Sequence, residues 1–287
     1  IESLPVFGNK TLDLNGYSLT RTDYNTADTS MIEVRSGGSL TINDTSSAKT
    51  GSIDSTGSTM CTTILIVSGG SLIMNEVYVD GYCTRGPAYA PIVSKGSVTV
   101  NGGTYASSNA SSLRIEGGTC TIYDGNFVAG LSLWGGNTNI YGGVYGGDFA
   151  ISIDGEENTG STPSAYIHNA TFNGDLYAIE FDNLTLKNCV IKNSITIWKT
   201  RKGERPAIST FLADGFGLYL DGVLSTATQT YYEASKIEVK FNDLSMGFAS
   251  LTPTPDMPQE DWDELSSDLG TMALGSADTN IDFNFSA

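Results

Sequence analysis

Positive charge is scarce in this 287-residue chain: 15 Lys and Arg stand against 32 Asp and Glu, a formal net charge of -17. Nucleic acid and anionic membrane surfaces are bound through Lys and Arg contacts with phosphates, so neither is expected as a partner. Neutral glycans and cations are more compatible. Histidine occurs once, at His168, so a Ser-His-Asp mechanism would rest entirely on that residue. No apolar run approaches the roughly 20 residues that a spanning helix needs, so membrane insertion is not expected. The four cysteines form no CxxC pair, which argues against a structural zinc site or a thioredoxin-type motif. No Gly-rich phosphate cradle opens a helix. A chain that begins at Ile1 without Met is compatible with a removed leader, and equally with trimming.

What the chain does have is glycine (33), tyrosine (14) and a low charged fraction (16%), a composition suited to a turn-rich all-β protein. It also has a repeat. The stretch Ser97-Val98-Thr99-Val100-Asn101-Gly102-Gly103-Thr104-Tyr105 alternates apolar with polar residues, turns on glycine and closes on an aromatic. Copies begin at Gly38, Gly70, Gly118 and Gly136, with weaker ones at residues 12–19, 165–172 and 184–191. Alternation puts one face in and the other out.

Anchoring each unit on the second apolar residue of its strand selects Leu14, Ile42, Met74, Val100, Ile122, Ile140, Ile167 and Leu186. The steps are 28, 32, 26, 22, 18, 27 and 19 residues, as expected for coils of one cross-section carrying loops of different length. A second alternating strand precedes each unit, at Ile32-Glu33-Val34, Leu65-Ile66-Val67, Ile92-Val93, Leu113-Arg114-Ile115, Leu131-Ser132-Leu133, Ile151-Ser152-Ile153 and Ile179-Glu180-Phe181. Tyr105, Phe127, Tyr145, Phe172 and Ile191 supply a third inward row. Three short strands per coil and about 8–10 coils describe an all-β, single-stranded, right-handed parallel β-helix. Asn15, Asn43, Asn75 and Asn101 suggest a polar ladder along one corner. Cys120 and Cys189 fall on inward positions as small core residues, whereas a disulfide between Cys61 and Cys83, in two longer loops, stays open.

On these residues, and on Thr11-Leu12-Asp13-Leu14-Asn15-Gly16 followed by Gly38-Ser39-Leu40-Thr41-Ile42, the chain resembles the right-handed parallel β-helix proteins of the pectate-lyase-like superfamily. The likeness covers about residues 9–225 and is closest to secreted or surface-attached bacterial members. It implies the fold and a secreted or cell-surface location, but the same coil carries lyases, hydrolases and adhesins. The β-helix domain is expected over 1–250, with strands near 218–222 and 237–241. An acidic extension over 251–287 follows a Pro-rich linker and would cap the exposed end strands.

Outward residues of successive coils should line up in rows. The row after the first strand reads Glu116, Trp134, Asp154, Asp182, and beside it stand Arg114, Ser132, Ser152 and Glu180. An exposed Trp among carboxylates suits a sugar-binding groove, with Trp134, Arg114 and Glu180 as ligand-binding residues. Asp154 and Asp182 on adjacent coils, roughly 5 Å apart by strand spacing, with Glu116 roughly 10 Å from Asp154, bracket the carboxylate separations of glycosidases. Those three are the candidate catalytic residues. No cofactor is expected, and calcium is the one metal considered, through Asp148, Asp154, Glu156, Glu157 and Asp182. The basic stretch 199–205 reads as an exposed loop. The leading expectation is a monomeric glycan-binding or adhesive protein without catalysis. The alternative is a polysaccharide-degrading hydrolase or lyase, and a third reading is a structural spacer.

Overall fold

The computed structural model describes residues 3–21, 30–55, 62–81, 90–108, 110–155 and 161–242. The chain divides into two compact units, Ile1–Asn242 and Asp243–Ala287. The second unit lies outside the described residues, and with it the expected linker and cap. Cys61, Cys83, Glu156 and Glu157 also lie outside them.

Each short run of alternating residues forms a strand, each glycine corner turns the chain, and the next coil pairs in parallel with the last. The fold is a parallel β-helix of three sheets. The first sheet stacks Leu4–Val6, Ile32–Val34, Ile64–Ile66, Ile92–Ser94, residues 113–115, 131–133 and 151–153, and the later strands through residues 195–197. The second stacks Asn9–Asp13, Ser39–Asn43, Ser71–Asn75, Ser97–Val100, residues 119–122 and 137–140, Ser164–His168 and Asn183–Lys187. The third runs from Ser18–Thr20 to residues 190–191.

Inward side chains fill the bore in columns. Ile42, Met74, Val100, Ile122, Ile140, Ile167 and Leu186 are in register and fully buried. In the third sheet Tyr105, Phe127, Tyr145 and Phe172 stack ring on ring at 4.9, 5.0 and 5.1 Å between centroids. The two tyrosines keep their hydroxyls satisfied by donating to the carbonyls of Gly102 and Gly142. Cys120 stands in register between Val98 and Thr138, and burial pushes its thiol up to about 12; that of Cys189 is pushed equally high by burial. Both are inert fillers of the bore.

Three registers differ from the sequence reading. Leu12, not Leu14, faces Ile42. The strand at 64–66 sits one residue earlier than expected, because Ile64, Leu65, Ile66 and Val67 are all apolar and offer no alternation to fix the phase. In the strand Asp175–Phe181, Leu176, Tyr177 and Ala178 pair with Ile151, Ser152 and Ile153 of the neighbouring coil. Ala178 is fully buried, but alanine is a weak core signal, so Ile179 and Phe181 misleadingly look like the anchors.

The ladder of parallel coils ends differently from how it runs. Tyr231–Phe241 lies antiparallel along Cys189–Thr200, Phe216–Leu220 adds antiparallel to it, and Val223–Ser225 follows. The expected strands at this end exist, and their reversed direction covers part of the last coil's edge.

Two side-chain devices hold corners. Asn75 Nδ2 donates to Asn43 Oδ1 (2.7 Å) and Asn101 Nδ2 to Asn75 Oδ1 (2.6 Å), forming the expected ladder over three coils. In the first coil that register position belongs to Asp13, and Asn15 instead donates its N–H to the Asp13 carboxylate. The Asp44 carboxylate, almost wholly buried, accepts from the amides of Gly16, Ser46 and Gly51. Burial raises its pKa, but hydrogen bonds from Ser46, Gly51 and Gly16 more than reverse this and hold it at about 2 against an ordinary 3.8. Because the folded value is depressed, this contribution to stability is full above pH 3.8 and is lost as pH falls towards 2. Replacing Asp44→Asn should therefore flatten the loss of urea resistance between pH 5 and about pH 2 that the wild type shows.

The corner between the first and second sheets needs glycine for want of space. A Cβ on Gly118 would stand 2.0 Å from the carbonyl oxygen of Gly96 one coil below, and Gly118 also has φ +73°. Gly37 has the same φ with nothing within 4 Å of a Cβ. Gly37→Ala should cost about 1–2 kcal/mol from backbone strain alone, and Gly118→Ala at least about 1–3 kcal/mol more from overpacking. Urea unfolding of the two variants side by side checks this, and equal losses would refute the steric account.

Candidate functional site

The face carrying the expected carboxylate row is built from the ends of first-sheet strands. Along that sheet the outward column reads Glu33, Leu65, Val93, Arg114, Ser132, Ser152, Tyr177 and Thr196. Tyr177 thus occupies the place expected for Glu180. Glu180 stands at a bulge, with φ 49°, between the pairs Ile179–Lys199 and Phe181–Thr200. Past the strand the register slips: Ile115 faces Leu133 but Glu116 faces Gly135, so Trp134 is the extra residue of a bulge. Asp154 faces Ile179 rather than Asp182, whose N–H donates to the Pro163 carbonyl. The side chains expected in one row therefore do not share one register position, and Asp154 and Asp182 are not register partners.

Where these side chains meet partners, the partners are mostly cations. Arg114 forms an ion pair with Glu116, Lys95 Nζ lies 3.2 Å from the other Glu116 oxygen, and the Arg114 guanidinium covers the Trp134 ring at 3.9 Å from its centroid. Arg114 and Glu116 side chains are only 13% and 16% exposed, so this cluster is a well-packed unit. Ser161 ties it to the next corner, accepting from the Gly136 amide at 3.1 Å. Trp134 is half-buried with one ring face occupied, not the open indole platform that the sequence suggests. Glu180 pairs with Lys199 at 2.7 Å, and Arg201 bonds to Thr162 and lies 3.9 Å from Asp182. The basic stretch 199–205, read from sequence as a plain loop, thus supplies partners to two of the candidate carboxylates. Lys199 and Arg201 were missed because coil register is lost at the bulge around Glu180, whereas Lys95 follows Ser94 in unbroken register with Ile115 and could have been counted to Glu116.

A general acid needs a carboxyl that holds its proton, and a pair of catalytic carboxylates needs a shared gap. Glu116, Glu180 and Asp182 each face a cation instead, and no two of them are seen to share such a gap. Among the described residues no three of His, Cys, Asp and Glu come together to hold a metal ion. No helix among them is long and apolar enough to cross a membrane.

A different face carries the more regular chemistry. The second sheet turns two columns outward: Ser39, Ser71, Ser97, Thr119, Asn137, Ser164, Asn183, and beside them Thr41, Ile73, Thr99, Thr121, Asn139, Tyr166, Thr185. None of these positions is buried, and none is charged. The corner column beside them continues from the Asn ladder into Tyr123, Tyr141, His168 and Lys187. Tyr123 (55% exposed) and Tyr141 (40%) stack at 5.6 Å, and Tyr166 lies 6.0 Å from Tyr141 and 6.3 Å from the His168 ring. Hydroxyls and amides in regular rows, with an aromatic border, are a hydrogen-bonding surface that combines donors, acceptors and apolar contact. The signal for it lay in the Ser/Thr/Asn that separate the core residues of most copies of the repeat, Ile73 and Tyr166 being the exceptions.

No family model matches the chain, and comparisons with the curated proteins and with the solved structures found no match.

The two kinds of carboxylate should respond differently to neutralisation. Glu116→Gln leaves the packed Arg114 without its counter-charge and should lose about 1–3 kcal/mol, whereas Asp182→Asn, on an exposed and loose pair, should change stability by less than about 1 kcal/mol. Thermal melts of both variants measure the contrast.

Proposed function

We propose that this chain is a β-helix protein of the pectate-lyase-like superfamily, secreted or displayed at a cell surface, which binds glycan in an adhesive role and does no chemistry on it. The observation that carries the reading is the second-sheet face. A rigid, solvent-facing array of hydroxyl and amide groups bordered by Tyr123, Tyr141 and Tyr166 meets a sugar polymer's needs: partners for its hydroxyls and apolar edges for its rings. The coil motif supports the superfamily, and the cation partners of Glu116, Glu180 and Asp182 weigh for binding over hydrolysis. No metal enters this reading.

The test is a glycan array probed with wild type and Tyr141→Ala, in calcium and in chelator. Binding should survive chelation and weaken roughly tenfold in the variant, the loss of one stacked contact worth about 1.4 kcal/mol. Absence of binding to every glycan would sink the proposal and leave the spacer reading ahead, and release of shortened sugars from a bound polymer would restore the enzyme.

A further inference from the structure

Resting on that glycan-binding reading, we infer that the ligand is an uncharged, extended polysaccharide chain that lies along the coil axis on the second sheet, crossing strands rather than following one. The direction follows from the shape of the array. Along any one strand at most three side chains face outward, the last of them at the corner, over about 13 Å. Across strands the same positions recur about every 4.8 Å through seven coils, from Ser39 to Asn183, a run of about 29 Å. A ligand following a strand reaches three groups at most and leaves the sheet. One that follows the axis meets a like group at each coil, so only a repeating chain gains from the repetition, by adding contacts unit by unit.

The charge class follows from what the face does not hold. In a chain with 32 Asp and Glu and 15 Lys and Arg, the fourteen outward positions of the two columns contain none of these four residues. An acidic polymer would be desolvated there with no cation in either column, Lys187 at the end of the bordering corner column apart, on a body of net charge -17. A neutral polymer brings hydroxyls to Ser, Thr and Asn, each able to donate and accept. Tyr123 and Tyr141 border the same coils that carry Thr121 and Asn139, which centres the contact on the middle of the run.

Affinity electrophoresis in native gels tests this, with a soluble neutral β-glucan in one set and polygalacturonate in the other, on wild type, Thr121→Asp and Trp134→Ala. Oligosaccharides of two and six units from the neutral polymer then compete in solution. The expected result is retardation by the neutral polymer alone, about tenfold weaker in Thr121→Asp from an unpaired charge in the contact, and unchanged in Trp134→Ala. The six-unit competitor should be the stronger by well over its threefold advantage in units. Melting curves establish that Thr121→Asp is folded, and Thr99→Asp, one coil away in the same column, serves as the second variant. Retardation by polygalacturonate in preference to the neutral polymer overturns the charge class. Equal potency of the two competitors overturns the axial course. Loss of binding in Trp134→Ala with none in either Asp variant overturns the site while leaving glycan binding intact, and no retardation by either polymer overturns glycan binding itself.

Discussion

The distance between coils governs this molecule. Parallel pairing holds each backbone about 4.8 Å from the next, and every residue consequently sits on the equivalent residue of its neighbours. A choice made in one coil is thus imposed on the coils beside it. Where backbones crowd at a corner, the position must be glycine in coil after coil, as at Gly96 and Gly118. Where rings point inward they stack face to face, as from Tyr105 to Phe172. Where amides point along the axis they chain together, as from Asn43 to Asn101. Charges obey the same rule in reverse: like charges stacked at that distance repel. Outward columns of neutral side chains are the arrangement that avoids this.

That constraint also explains what could be read from sequence. The column from Ile42 to Leu186 was legible because its members are large apolar residues flanked, Met74 beside Ile73 apart, by polar or aromatic ones, and the aromatic column because three of its four rings follow a glycine corner. Legibility failed where the alternation lost contrast. Ile64 to Val67 has no polar residue to mark the phase, and Ala178 is too small to announce itself as core. It failed again at bulges. Trp134 and Glu180 each sit where one strand carries an extra residue, and counting through such a point misplaces the outward residues up to the next corner. Most of the candidate carboxylate row lay beyond such points. The plain hydroxyl columns lay within unbroken register and are where counting would have placed them.

The two faces differ in how their polar groups are used. Around Arg114 the charges answer one another: guanidinium, carboxylate and indole are packed together, with little left to offer a ligand. On the second sheet some hydroxyls touch across coils, as Ser97 and Thr119 do at 2.9 Å, yet a hydroxyl has a donor and two acceptor sites and is not exhausted by one partner. The first arrangement stabilises the scaffold, and the second leaves capacity facing solvent.

Coil length varies from 18 residues between Ile122 and Ile140 to 32 between Ile42 and Met74, yet both pairs stack in the same column. Position along this body is therefore counted in turns and not in residues. Copying or deleting one whole turn would carry its own corner glycine, core residue and outward hydroxyls with it, and would leave the turns on either side with a matching neighbour. Such a protein can lengthen or shorten in evolution by unequal exchange within its own gene, changing its reach in steps of one turn without having to invent a new core.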